Sequence, residues 1–429
     1  MRHARRHRWL ALAAVALAGV SVTACVDDSS PIDDSTVTVF GPYVNSDADR
    51  FAEVIADFEQ STGVEVAYTG SVNFVSDLRQ RALGNQRPDV AIVPQPGVID
   101  ALIENGVLEP LEVETVQAVR DGFGDSTLEA TPWDLRFAVP YRSNVKSLVW
   151  YRPGVFAENE WEVPLTLDEL ISLVDDVDAG DTMAPWCFSV FAGSATGWPA
   201  TDWIEDLVLR RAGVDVYEQW AQGEFSWQTP EIHDAFREFR ELVIDADRSA
   251  GGLRAVLQTE VSSAGGPLFG DSPGCAMYKQ ASFADDWFPS GITVGPEADV
   301  DYFVLPSGAG DETRLVTAGD AAVAFADRPN VDRFMAFLAS ADGGRAWADD
   351  GGFISRRTDV DLDRYYDDAD AGVAALLQTE TTTRFDASDM LPADVGSDLL
   401  WRQITDWING SLKLDDLLAS LDEALGIED

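Results

Sequence analysis

The chain has 429 residues, 46 % of them apolar, and carries 75 acidic against 30 basic side chains for a formal net charge of −45. So acidic a surface repels nucleic acid and anionic headgroups, which excludes nucleic acid as a partner. Of three histidines two fall within the first seven residues, so any Ser-His-Asp or Cys-His machinery would need His233, which reads as a surface residue in the acidic helix start Pro230-Glu231-Ile232-His233-Asp234.

The N-terminus runs Met1-Arg2-His3-Ala4-Arg5-Arg6-His7-Arg8, then an apolar stretch from Trp9 to Val20, then Val22-Thr23-Ala24-Cys25. A basic start, an apolar run too short to span a bilayer and small residues before the cut predict a signal peptide over residues 1–24. Val-Thr-Ala-Cys resembles the bacterial lipoprotein processing site, which implies a lipid-bearing Cys25 as the new N-terminus. Residues 25–35, rich in Asp, Ser and Pro, read as a solvated tether. The expected location is the outer face of the cytoplasmic membrane, with a lipid anchor and no spanning helix. Removing residues 1–24 leaves 26 basic against 75 acidic side chains, a net charge of about −49.

About 400 remaining residues suffice for two lobes, each expected to have its own core. Thr36–Phe40 is a predicted strand stopped by Gly41-Pro42. Ser46 is a candidate cap for a helix whose Phe51, Val54, Ile55 and Phe58 share one face, with Gly63 closing it. A strand at Val64–Tyr68, a helix from Val75 to Leu83 and the strand Val90–Val93 complete a β-α-β-α-β order, which implies a parallel sheet flanked by helices. Ligands of open sheets lie beyond the strand carboxyl ends, and this places Ser71, Asn73 and Gln95 as candidate contacts. No phosphate-binding glycine loop follows these strands, which argues against a nucleotide cofactor.

Arg136–Tyr151 reads as an extended crossing interrupted by Pro140. Beyond it, Trp186-Cys187-Phe188 leads through Gly193-Ser194-Ala195-Thr196-Gly197-Trp198-Pro199-Ala200 into a helix expected over Thr201–Ala212, capped by Thr201 with Asp202 in its first turn. Indole faces beside short polar side chains suit a neutral polyol, which makes Thr196, Trp198, Asp202 and Trp203 candidate contacts. The two cysteines other than Cys25, Cys187 and Cys275, form an even pair in an oxidising compartment and predict a disulfide, worth about 4–5 kcal/mol in the chain-entropy model. The bridge would bring Lys279 near that block, where it donates to a sugar hydroxyl or neutralises Asp202; Trp287 is a second stacking candidate. A strand at Asp301–Pro306 precedes a recrossing at Arg314–Phe325, where Gly319 allows close backbone approach and Asp320 offers another carboxylate. Helices over Val331–Leu338, Leu399–Trp407 and Leu412–Leu425 read as packing elements without chemistry.

The run Val139-Pro140-Tyr141-Arg142-Ser143-Asn144-Val145-Lys146-Ser147-Leu148-Val149-Trp150-Tyr151-Arg152-Pro153, together with Pro185-Trp186-Cys187, Ala195–Asp206, Met277–Phe283 and Thr317–Val323, resembles the family 1 extracellular solute-binding proteins of ABC importers. Within them it is most similar to the α-glucoside-binding branch. The resemblance implies an α/β, two-lobed, type II-like periplasmic-binding-protein fold, each lobe a mainly parallel sheet flanked by helices, with C-terminal helices completing the second. Residues 36–140 with 300–340 are then the first lobe, and 141–299 with 341–429 the second. It further implies a monomer that closes on a neutral oligosaccharide such as maltose, trehalose or sucrose and presents it to the transporter's membrane subunits, without cofactor, metal or reaction. Tyr141 joins the candidate contacts on this ground. The rival is a secreted glycoside hydrolase working through a carboxylate pair such as Asp202 and Asp320.

Overall fold

The computed structural model describes residues 35–427 apart from 85, 124–130, 297, 309, 311 and 380–381. The expected signal peptide, the lipidation site Cys25 and the tether as far as residue 34 lie outside the described residues. Strand β1 (Thr36–Gly41) is central in the first half and pairs in parallel with β2 (Glu65–Gly70) and β3 (Val90–Val93). Between β1 and β2 runs helix α1 (Asn45–Thr62), which buries Phe51, Val54, Ile55 and Phe58 and ends at Gly63, whose φ of 72° is the left-handed conformation a glycine adopts without strain. Its first turn has no side-chain cap, and Ser46 lies inside the helix and not ahead of it. Helix α2 (Phe74–Leu83) links β2 to β3, and α3 (Pro96–Glu104) follows β3.

The chain leaves this sheet through β4 (Ala138–Val145) and, after two residues, begins β5 (Leu148–Tyr151) in a second sheet. Pro140 interrupts less than expected: it stays within β4, where the register against the returning strand shifts between Pro140 and Ser143. A bulge of this kind tolerates the missing N–H. The second sheet has the order β6 (Ala184–Trp186), β7 (Cys275–Lys279), β5, β8 (Asp301–Val304). The return strand β9 (Arg314–Ala324) is antiparallel to both β3 and β4 and parallel to β10 (Thr382–Phe385), giving the first sheet the order β10-β9-β3-β1-β2 with β4 also on β9.

Three expectations need correction. The second sheet is not mainly parallel, because β5 runs antiparallel to β7 and to β8 and only β6 is parallel to β7. The sheets also divide the chain differently: β8 belongs to the second and β10 to the first, since the outgoing β4 and the incoming β9 pair side by side. Finally, the two halves do not have separate cores. One buried apolar cluster contains Val37 and Phe51 from the first half together with Trp150, Cys187, Cys275 and Tyr278 from the second.

Helix α4 (Leu167–Gly180) starts with a capping box in which Thr166 and Glu169 satisfy each other's backbone N–H groups. Helix α5 (Trp198–Arg211) begins three residues earlier than expected, after Gly197 at φ 120°, and is buried from Pro199 to Arg210. A Cβ on Gly197 would lie 2.3 Å from the Trp401 carbonyl oxygen, so the bare backbone is required there. Helix α6 (Pro329–Leu338), the short α7 (Ala387–Met390), α8 (Trp401–Ile408) and α9 (Leu414–Leu425) follow. Cys187 and Cys275 are disulfide-bonded with their Cα atoms 5.4 Å apart, tying the end of β6 to the start of β7.

Candidate functional site

The loops after β1, β2 and β3 meet the start of α5, the turn at Ser282–Trp287 and α7 along the seam between the sheets. Across this seam the Ser194 hydroxyl donates to Asn73 Oδ1 at 3.1 Å. Tyr43, in the loop after β1, donates its hydroxyl to Asp320 Oδ2 on β9 at 2.8 Å. The start of α3 abuts the end of α7, because a Cβ on Gly97 would lie 2.0 Å from the Leu391 carbonyl oxygen. Gln95, immediately before α3, has a buried Oε1 with no hydrogen-bond partner among the described residues.

On the other side an aromatic row runs along the seam: Trp198 lies 6.1 Å from Phe283, and Phe283 lies 5.2 Å from Trp287, all three half-buried. The ammonium of Lys146 sits 4.7 Å from the Trp198 ring centroid and bonds both Asp202 oxygens at 2.9 and 3.0 Å and Asp386 Oδ2 at 3.3 Å. Asp386 caps α7 by accepting the Asp389 N–H, while the Glu205 carboxylate accepts the N–H groups of Ala387 and Ser388. Four carboxylates thus surround one lysine. Burial pushes Asp202 up to about 7 against the pull of Lys146, and burial with Asp386 holds Glu205 and Asp389 well above the usual carboxylate range. Burial opposes the charge on Lys146, but Asp202, Asp386 and Asp389 more than offset it and raise its pKa.

Asp389 is 8 % exposed, and among the described residues its carboxylate accepts no hydrogen bond and joins no ion pair. After burial, the charges acting on it are those of Asp386, Lys146, Asp202 and Asp320. Burial raises Asp320 to about 6, with Arg142 and the Tyr43 hydroxyl pulling the other way. An acceptor without a protein donor is open to a ligand hydroxyl. The arrangement offers an aromatic face, free acceptors and no nucleophile with an activating base. Among the described residues no group of His, Cys, Asp and Glu is arranged to hold a metal ion.

The residues singled out in the sequence are not all brought together. Trp198 and Trp287 share the aromatic row through Phe283, Asn73 reaches Ser194 ahead of α5, Asp320 accepts from Tyr43, and Gln95 precedes α3 with its unpartnered oxygen, while Ser71 is occupied in a turn through Asp77 and the Asn73 N–H. Thr196 is likewise engaged locally, donating to the Gly193 carbonyl at 2.7 Å. Trp203 is 1 % exposed and packs edge-on against Trp186 at 4.8 Å, so it is a core residue without a free face. Asp202 lies in the second turn of α5, because the helix starts early, and it is Lys146 and not Lys279 that neutralises it. Lys279 lies deeper, 2.8 Å from Asp206 Oδ2 and 3.1 Å from the Asp202 carbonyl oxygen. Tyr141 faces away from the seam: its hydroxyl bonds the Gly343 carbonyl at 2.8 Å, and it lines a separate cavity of about 230 Å³ with Phe353, Arg357 and Tyr365. At Gly319 the close approach is to the neighbouring strand β4, since a Cβ would come 2.4 Å from the Arg142 carbonyl oxygen. His233 is at the surface, 3.1 Å from Asp415.

Sequence reasoning passed over Tyr43, Lys146, Glu205, Asp386 and Asp389. One signal was available for the lysine. The chain has three lysines among its 30 basic residues, and two of them, Lys146 and Lys279, are buried in this cluster.

The sequence profile described as "Bacterial extracellular solute-binding protein" matches residues 44–345. The chain belongs to this family. It is 34 % identical over 391 residues to the "Alpha-glucosides-binding periplasmic protein AglE" of Rhizobium meliloti (strain 1021), covering 89 % of this chain and 85 % of the relative. It is 33 % identical to the "Osmoprotective compounds-binding protein GgtB" of Synechocystis sp., covering 88 % of this chain and 90 % of that one. The fold matches the crystal structure of the solute receptor AcbH, whose reported preference is for β-D-galactopyranose, with a TM-score of 0.74 at 18 % identity over 91 % of this chain and 98 % of the other. The family is described as extracellular and AglE as periplasmic, and both curated relatives are named as binding proteins. No helix among the described residues is long and apolar enough to cross a membrane.

Proposed function

We propose that this solute-binding protein captures a neutral oligosaccharide of the α-glucoside kind at the seam between its two sheets and hands it, unreacted and as a monomer, to the membrane subunits of an ABC importer. The observation that carries the reading is a half-buried indole, Trp198, and the carboxyl group of Asp389, which has no hydrogen-bond partner among the described residues, both beside Lys146. A pyranose offers a C–H face for the first and vicinal hydroxyls for the second. Gln95 and the remaining oxygen of Asp320 supply further partners. Stacking with several such bonds, less ordering costs, is compatible with an affinity of about 1 μM, or −8 kcal/mol. The 34 % identity to a relative named for α-glucosides supports the sugar class.

The hydrolase reading has less support. Both oxygens of Asp202 are held by Lys146, so that acid is not free to protonate a glycosidic oxygen. A lipid anchor on Cys25 completes the proposal and predicts that the full-length protein partitions into detergent, and a Cys25→Ser variant into water. The central test is a thermal-shift screen over maltose, trehalose, sucrose, longer α-glucosides and small polyols, the last because one relative is named for osmoprotective compounds. The proposal expects a saturable rise in unfolding temperature with at least one sugar and no product from a nitrophenyl glucoside. Turnover of the glucoside, or no response to any panel member, overturns it.

A further inference from the structure

We propose that Lys146 is a positioning residue for ligand binding: from the link between the sheets it sets the Trp198 indole and the Asp389 turn in the arrangement a sugar meets. The inference rests on the binding role just proposed for this seam. Only Lys146 and Ser147 separate β4 in the first sheet from β5 in the second, and this link is held firmly. The Lys146 N–H donates to the Val316 carbonyl at 2.8 Å, and the Ser147 hydroxyl donates to Asp206 Oδ1 at 2.6 Å while accepting the Val316 N–H. Lys146 is 6 % exposed, so its ammonium must find its partners within the protein.

Those partners lie on two elements that also meet through the Glu205 carboxylate and through the Thr201 and Ser388 hydroxyls, 3.3 Å apart. Asp202 is one turn along α5 from Trp198, and Asp386 is the cap of α7, which carries Asp389. The same ammonium lies against the Trp198 ring, so one group contacts the platform, its helix and the neighbouring turn. A compact ammonium suits a seat between two carboxylates and a ring, which a planar guanidinium does not fit. Its use here stands out in a chain with 27 arginines and three lysines. Without it, Asp202, Glu205, Asp386 and Asp389 lose the cation seated among them, with only Lys279 on the Asp202 carbonyl nearby, and like charges in a dry site separate or take up protons. Either response turns Asp389 and Trp198 out of register.

The test compares wild type with Lys146→Met/Asp202→Asn, which removes one charge of each sign, and with Lys146→Arg, which keeps the cation but not its shape. Two readouts are used: sugar titration, and acrylamide quenching of the Trp198 emission, isolated by subtracting Trp198→Phe. The double variant is expected to unfold cooperatively, with Trp198 at least twofold more quenchable and the affinity for the best sugar at least tenfold weaker. Lys146→Arg, which serves where the double variant does not fold, is expected to lose affinity several-fold with the same change in quenching. Wild-type quenching and affinity within twofold of wild type in either folded variant overturn the proposal. The quenching arm needs no sugar, so a wild type that binds nothing sinks the sugar reading while the role of Lys146 in placing Trp198 is still decided.

Discussion

The hydroxyl of Ser194, ahead of α5, donates to the Asn73 side-chain oxygen, after β2, at 3.1 Å across the mouth of the seam. Both residues are exposed, so water competes for the bond and its net worth is at most about 1 kcal/mol. A contact of that size that exists only while the two loops are together acts on the closed form alone. Ser194→Ala is therefore expected to leave the unfolding temperature within 1 °C or so of wild type while the bound sugar leaves a few-fold faster, as measured by stopped-flow. Unchanged dissociation would mean that the loops stay together without the bond.

The two tryptophans of the same helix separate stability from binding. Trp203 is buried against Trp186 and Phe239, and its truncation should cost about 3–5 kcal/mol in denaturant unfolding. Trp198, half-buried at the helix start, should cost under about 1.5 kcal/mol when changed to Ala, since it loses chiefly the Lys146 and Phe283 contacts. The affinity for sugar should fall at least tenfold, equivalent to about 1.4 kcal/mol. A Trp198→Ala protein that binds sugar as wild type does would remove the platform from the site.

This pair also marks what was legible in the sequence. The first sheet with α1 could be read because its apolar spacing is local, and the disulfide because only two cysteines remained to pair. The second sheet's strand directions were hidden, since a short apolar strand such as Leu148–Tyr151 reads alike in either direction. Assigning Trp198 and Trp203 depended on where α5 begins. Its start after Gly197 puts Trp198 in the first turn, at the half-buried edge, and Gly197 is where the distant Trp401 backbone comes close. Lys146 and Asp386 lie more than half the chain apart, so no local pattern records their contact.

The Cys187–Cys275 bridge closes a separation of 88 residues and fixes β6 beside β7, where Trp186 pairs with Met277. Its removal by Cys187→Ser/Cys275→Ser should lower stability by about 2–5 kcal/mol, chiefly because the unfolded chain regains freedom. None of the hydrogen bonds and ring contacts described for the seam involves either sulfur. The variant should therefore keep its sugar response at low temperature, and a binding loss larger than the stability loss explains would show that the bridge shapes the site directly.

Acidity should stabilise the protein between pH 8 and pH 5. Burial raises Asp320 to about 6 and Asp370 to about 6, and Asp202 to about 7, all above the unfolded value of about 3.9. The folded state thus binds these protons more tightly than the unfolded state, so the stability they contribute is full below about pH 4 and is lost as the pH rises through 6 to 7. A displacement of about two pKa units is worth ~2–3 kcal/mol per group, and ordinary surface carboxylates, which titrate near pH 4, do not contribute in this window. Asp320→Asn removes one group without changing its shape and leaves the Tyr43 hydroxyl a neutral acceptor. The variant should be more stable than wild type at pH 8 and show a shallower fall in unfolding temperature from pH 5 to pH 8. Parallel curves for the two proteins would mean that Asp320 is charged throughout, held so by Arg142 and the Tyr43 hydroxyl.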